Sequence, residues 1–231
     1  MDNNEILVKG KAIDKNSTSS MSQCAHDYLV KQMLTRELLP GDIINRRQIA
    51  DKLGFSVAPV LEAIVQLERQ GFLETLPRKG TRVRIVRTID VFGQIILREA
   101  LECQAARLYC GERIRLRKQA LLEAAKLVDA AGSQSQVNWE MEIAFHSKLV
   151  PLAGCPALTK AFYHIMQQGL FYAINMLIPP PSQKRNKNAH VELLEALEQD
   201  DPDVAEKHLR KHLAFGKEAI YEMSKSISAE D

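Results

Sequence analysis

Glu142 and His146 stand four residues apart in NWEMEIAFHSKL, a stretch whose apolar spacing predicts a helix. Four residues is about one turn, so both side chains share a face. His190 opens AHVELLEAL and His212 lies in KHLRKHLAF, two further segments of helical periodicity. Three imidazoles and one carboxylate on inward helix faces form a donor set for a divalent first-row metal inside a helical bundle. Imidazole makes zinc the first choice, with nickel, manganese and iron as alternatives. Four protein ligands still leave room for water or a ligand carboxylate. Taken singly, each histidine reads equally well as a surface or satisfied core residue; the combination is what points to metal. His208, one turn before His212, is the nearest competitor, and His26 and His164 read as structural or surface residues. No nucleophile is paired with a base and no Gly-rich phosphate loop is present, so no catalytic residue is assigned.

These side chains need helices to hold them. From about Ile89 to Ser226 the periodicity is helical, with helices expected near 89–110, 113–131, 137–153, 156–177, 186–199 and 202–225. Breaks fall at Gly111, Gly132-Ser133, Gly154, Pro179-Pro180-Pro181 and Asp200–Pro202. Asp201-Pro202 has the form of a helix start, a cap followed by a first-turn proline. This part of the chain, 89–231, reads as an all-α antiparallel bundle.

The preceding part has a different grammar. Residues 1–20 lack periodicity and read as an arm. A helix is expected over about Ser22–Glu37, with Tyr28, Leu29, Met33 and Leu34 as its apolar stripe, stopped by Leu39-Pro40-Gly41-Asp42. Asn45 caps a second helix with Gln48 three residues on, and Gly54 ends it. Ser56 caps a third, in which Pro59 falls in the first turn, where a missing N–H costs nothing. Val60, Ile64 and Leu67 form its buried stripe and Gly71 ends it. FLETLP and TRVRIV then alternate about Arg78-Lys79-Gly80, the pattern of a β-hairpin. Helix, helix–turn–helix and hairpin together make a winged helix-turn-helix over 21–88. The fold class is therefore mainly α, with one small hairpin wing.

Composition sets the outer limits. The 231 residues suffice for two small domains, and 45% hydrophobic content supplies their cores. No apolar run reaches the roughly 18 residues a membrane span needs, and the polar N-terminus has no signal-peptide pattern; a cytoplasmic protein is expected. The four cysteines form no CxxC pair, and Cys103 and Cys110 lie too far apart along a helix for a disulfide. Net charge is only +2, yet its distribution is uneven. Residues 1–88 carry 14 Lys/Arg against 10 Asp/Glu, and 89–231 carry 17 against 19. Arg78, Lys79, Arg82, Arg84 and Arg87 fall within ten residues that hold no anion. A basic first half suits phosphate contacts.

The run LLPGDIINRRQIADKLGFSVAPVLEAIVQLERQGFLETLPRKGTRVRIV resembles the reader domain of the GntR superfamily of bacterial transcription regulators. The carriers are Pro40-Gly41, Ala50, Pro59-Val60, Glu62-Ala63, Leu67-Glu68, Gly71 and the wing glycine Gly80. The second half resembles the FCD ligand-binding domain of the FadR-like subfamily. That family carries Asp-x-x-x-His on one helix, a His opening a later helix and another His on the last. Glu142 stands at the Asp position, one methylene longer, and His146, His190 and His212 stand at the His positions. Arg98, in LREALE, matches an Arg often found on the first helix of that domain. Its implied role is to clamp an anionic effector with its guanidinium fork; an ion pair with Glu102 at i,i+4 is the equal alternative. The recognition helix departs from the family. Relatives present an Arg after the cap and another four residues on, and this chain has Val57 and Leu61.

Residues and resemblance together lead to the expectation of a homodimeric, ligand-responsive regulator that binds a double-stranded operator. The exposed reader candidates are Arg47, Ser56, Val57, Ala58 and Leu61. Val57 and Leu61 are suited to thymine methyl groups or to packing on neighbouring structure. In the wing, Arg78, Lys79, Gly80, Thr81 and Arg82 are candidates for phosphate or minor-groove contact. A dimer is expected because such readers use two-fold operators. The resemblance implies a small organic acid as effector. Two other readings stay open: a metal-dependent hydrolase-like enzyme with an appended DNA-binding domain, and a regulator whose effector is the metal itself.

Overall fold

The computed structural model describes residues 20–130, 135–175 and 188–227, and divides into two compact units between Val86 and Arg87. The expected arm and the Gly132-Ser133 and Pro179-Pro180-Pro181 breaks lie outside the described residues, save Ser20.

The first unit holds α1 (Met21–Leu34), α2 (Arg46–Leu53), α3 (Val57–Arg69), β1 (Leu73–Leu76) and β2 (Gly80–Val83). The Ser20 hydroxyl caps α1 by accepting from the Gln23 amide at 3.2 Å. Ala25, Leu29 and Met33 of α1 are fully buried beside Val60, Ala63 and Leu67 of α3. α1 stops at Leu34, three residues short of the expected end, because Arg36 adopts a left-handed φ of 60°. Asn45 caps α2 by accepting from the Gln48 amide at 3.1 Å. Ser56 holds the extended backbone of a cap residue, but its side chain makes no capping hydrogen bond.

The two strands pair antiparallel, with Leu73 opposite Val83 and Leu76 opposite Gly80. Gly80, expected in the turn, is thus the first paired residue of β2, and Pro77-Arg78-Lys79 make the turn. Its φ of 94° is a conformation that only glycine adopts without strain. A third extended piece, unforeseen from the sequence, runs along the other edge of β2. Ile43 bridges to Arg82, and the Ile44 amide donates to the Thr81 carbonyl at 2.8 Å.

The second unit holds α4 (Thr88–Tyr109), α5 (Glu112–Arg115), α6 (Lys118–Ala130), α7 (Ser135–Leu149), a 3-10 turn (Val150–Ala153), α8 (Pro156–Asn175), α9 (Ala189–Leu197) and α10 (Pro202–Ile227). α4 packs against α8 and α10, while α6 packs against α7 and α9. The core between them contains Tyr109, Phe145, Phe162, Phe171, Leu197 and Leu209, each under 2% exposed. The single helix expected over 113–131 is two, broken at Leu116-Arg117. Arg115 is held there by Asp200 through two contacts of 3.0 Å and by the Glu198 carbonyl at 2.7 Å. The helix expected over 137–153 ends at Leu149. Pro151 lacks an amide hydrogen, and the chain tightens into a 3-10 turn closed by Gly154 at φ 67°.

Candidate functional site

In the first unit, α3 exposes Ala58 and Leu61, with Val57 partly exposed at its start and Ser56 exposed before it. Val65, a turn beyond Leu61, is 43% exposed. The outward face of the third helix is therefore apolar and carries Glu62, but no cation before Arg69. Cations come from around it. Arg47 is exposed at the start of α2, and Arg78 and Lys79 are exposed at the hairpin tip, where Arg78 takes a left-handed φ of 65°. Arg82 is engaged differently. Its Nε lies 2.9 Å from Glu74 Oε1 across the hairpin, so part of its donor fork is already used. Thr81 Oγ1 is 3.0 Å from Thr75 Oγ1.

In the second unit, α7 presents Glu142 and His146 inward, α9 presents His190 from its first turn, and α10 presents His212. All four are buried, at 2%, 0%, 2% and 6% exposure. One ligand atom from each can be chosen so that all lie within 4.8 Å of one another. His190 Nε2 is 3.3 Å from Glu142 Oε1, and His146 Nε2 is 3.8 Å from Glu142 Oε2. Zinc ligands at about 2.0–2.1 Å from the ion sit on this scale. His146 Nε2 is buried and makes no hydrogen bond among the described residues. His208, the competitor, is exposed, as is His164. His26 is buried between α1 and the end of α3, its Nε2 2.7 Å from Gln70 Oε1.

Two carboxylates stand behind the imidazoles. Glu102 of α4, 1% exposed, puts Oε2 at 2.5 Å from His146 Nδ1. Asp129 at the end of α6 puts Oδ1 at 2.6 Å from His190 Nδ1. It also accepts from the His190 and Val191 amides, which tethers the start of α9. The hydrogen bond from His190 Nδ1 to Asp129 turns that ring's Nε2 toward the centre in its ligating tautomer, whereas Glu102 meets His146 Nδ1 as a close charge contact without hydrogen-bond alignment. Burial works against the Glu102 charge, but His146 and Arg98 outweigh it and hold its carboxyl down at about 2. Burial also lowers the His146 imidazole. Arg98 sits on Glu102, Nε to Oε1 at 2.5 Å, as the ion-pair alternative anticipated. Its Nη2 is buried without a hydrogen-bond partner among the described residues.

Two family models match this chain. One, described as the FCD domain, covers residues 95–215; the other, described as bacterial regulatory proteins of the gntR family, covers residues 22–83. The chain belongs to the GntR family. It is the FCD-bearing kind, a DNA-binding transcription regulator with a reader half and an effector-binding half. Over 202 residues it is 27% identical to the "Probable D-xylose utilization operon transcriptional repressor" of Paenarthrobacter nicotinovorans, covering 85% of this chain and 87% of that one. Over 218 residues it is 21% identical to the HTH-type transcriptional repressor RspR of Escherichia coli K12, covering 92% and 94%. Among solved structures, a GntR transcriptional regulator from Rhodococcus sp. RHA1 shares the fold with a TM-score of 0.69 at 19% identity, over 88% of this chain and 99% of that one. E. coli McbR/YncC does so with a TM-score of 0.67 at 20% identity, over 90% and 100%.

Set within this GntR architecture, the FCD half contains two site residues that sequence reasoning did not assign to the centre. Glu102 was visible only as the partner of Arg98, because the i,i+4 spacing shows one neighbour and hides the other, His146 on α7. Asp129 left no signal at all. It lies 61 positions before His190, and only the packing of α6 on α9 joins them.

Proposed function

We propose that the FCD half of this GntR regulator holds a divalent metal at Glu142, His146, His190 and His212, and that a small carboxylate effector docks there and changes operator affinity. The observation that carries the reading is the convergence of four buried donor groups from three helices within 4.8 Å. The buried Nε2 of His146, without a hydrogen-bond partner among the described residues, fits a cation rather than a polar core. Asp129, hydrogen-bonded to His190 Nδ1, and Glu102, set against His146 Nδ1, support it further. Zinc suits this donor set best, and nickel, manganese and iron share its tolerance for imidazole and oxygen. Held by these four residues, the ion would supply a fixed positive charge against which an anion could dock. Arg98, held in place by Glu102, offers Nη2 to the same anion, so its ion pair and its effector role are compatible.

On the reader side, Arg47, Ser56, Val57, Ala58 and Leu61 face the major groove. The apolar trio meets thymine methyl groups in place of an arginine–guanine contact. Arg78, Lys79, Gly80, Thr81 and Arg82 form the wing contact to the backbone. The regulator acts as a homodimer in the cytoplasm. Ile89, Phe92 and Ile96, at 64%, 43% and 52% exposure, line one outward face of α4, an apolar surface suited to a second copy. No helix among the described residues is long and apolar enough to cross a membrane. Effector and operator are coupled only if the effector binds the DNA-competent and incompetent states unequally.

Elemental analysis of the purified protein beside a His146→Ala/His190→Ala variant tests the centre, with about one metal per chain expected and lost in the variant. Operator affinity is then measured at fixed metal with and without short carboxylates. No metal after reconstitution sinks the reading. A response to chelator alone, with none to carboxylates, makes the ion itself the effector.

A further inference from the structure

Gln94, Arg98 and Glu102 recur every fourth residue along α4 and so share its inward face. The first of these takes no part in the imidazole cluster. Its amide nitrogen donates to Gln168 Oε1 on α8, and Gln168 is 9% exposed. The other end of the amide, Gln94 Oε1, is buried and makes no hydrogen bond among the described residues. Arg98 Nη2, one turn along, is in the same condition. Two buried, unsatisfied polar atoms a turn apart on one helix face are uncommon in a finished core and point to a missing polar partner. The two groups differ in kind. Arg98 can only donate, and its charge calls for an anion. The amide is neutral, and its free end accepts.

We infer that Gln94, fixed by Gln168, is the specificity-determining residue of the effector pocket, and that it selects a carboxylate carrying a hydroxyl at the end remote from the metal. The inference rests on the proposal that Arg98 and the metal centre take the carboxylate. Four residues of helix rise roughly 6 Å, which a chain of about four to six carbons spans at about 1.5 Å per bond. A hydroxyl is the group that fits. It donates to the amide oxygen, the end of Gln94 left over by its bond to Gln168. A second carboxylate only accepts, and it meets an acceptor here. A plain methyl end leaves the amide unpaired, and a buried polar group left unpaired is what rejects an analogue lacking its partner.

The test uses the full-length, zinc-loaded protein and three pairs of probes: butanoate with 4-hydroxybutanoate, pentanoate with 5-hydroxypentanoate, and hexanoate with 6-hydroxyhexanoate. A terminal hydroxyl keeps the comparison free of chelation by a hydroxyl next to the carboxylate. By isothermal titration, the hydroxylated member of at least one pair binds at least about tenfold tighter. Gln94→Met, apolar and of similar length, brings that ratio to within about twofold, chiefly by raising the affinity for the plain acid, with metal content unchanged. Plain acids that bind as well as their hydroxylated partners overturn the inference and leave the carboxylate site standing. So does a ratio that Gln94→Met does not move. Should a protein carrying about one zinc per chain bind none of the six acids, the inference and the carboxylate reading both fall, and the metal centre survives.

Discussion

The two halves of this regulator hold their chemistry in opposite ways. In the reader, Ala58, Leu61, Arg78 and Lys79 are exposed, and each is placed by its own local element. In the FCD half, Glu142, His146, His190 and His212 are buried, and no single helix brings them together. The contrast follows from the ligands. A duplex is a large surface whose phosphates are met from outside, so exposed cations on a helix and a hairpin suffice. A cation or small anion must be stripped of water before it is held tightly. Its ligands are therefore desolvated, and each needs a partner to make burial tolerable.

The largest asymmetry is expected between two glutamates, one in each half. Glu102 and Glu74 each pair with an arginine, Glu102 at 1% side-chain exposure and Glu74 at 37%. Glu102→Ala leaves the largely buried Arg98 charge and the His146 Nδ1 without their carboxylate, and costs about 3–5 kcal/mol in urea melts. Glu74→Ala costs less than about 1 kcal/mol. Similar losses from the two would contradict this division between the halves.

The next effect is on the proposed metal. Asp129→Asn keeps the shape at the start of α9 but weakens the grip on His190 Nδ1. Zinc affinity in a competition titration falls by about 10–100-fold, with DNA binding by the metal-free reader unchanged. An Asp129→Asn protein with unaltered zinc affinity would show that the carboxylate serves only the helix end.

Within the reader, two substitutions separate positioning from reading. Arg78→Ala weakens binding to all duplexes alike and lowers the slope of log affinity against log salt by about 1. Leu61→Ala leaves that slope alone and lowers affinity only on sequences with a thymine at the contacted step, by less than the roughly 1–3 kcal/mol of a bidentate side chain–base pair. The same salt slope for wild type and Arg78→Ala would remove the wing tip from the interface.

The smallest expected effect is a pH dependence confined to the reader. Burial lowers the His26 imidazole, but hydrogen bonds to Asp27 and Gln70 and the charge of Asp27 outweigh it, and the net shift is upward from 6.5. A raised folded value means His26 adds stability that is complete below 6.5 and lost as pH rises through the folded value. His26→Gln should flatten the melting temperature against pH just above 6.5. An undiminished slope in that variant would assign the dependence to another group.

Much of this was legible in the chain itself, for a physical reason. Caps, glycine stops and apolar periods act over a few residues, so α1, α2, α3, the hairpin and most helices of the second half could be read from neighbours in sequence. Glu142 and His146 were legible as a pair because one turn of α7 joins them. The ends of α1 and α7 were misread for local reasons, at Arg36 and Pro151, and two other misreadings arose where distant chain intervened. Asp200 and the Glu198 carbonyl grip Arg115 beside the break between α5 and α6, and Asp42–Ile44 becomes an edge piece only because β2 lies beside it.

Sequence alone determined which residue types were available and on which helix face each would stand. Tertiary structure decided who met whom. It set Glu102 on His146 across α4 and α7, Asp129 on His190 across α6 and α9, and Gln94 on Gln168 across α4 and α8. Those pairings rest on how side chains of different helices fill a shared interior, and that packing has no period along the chain.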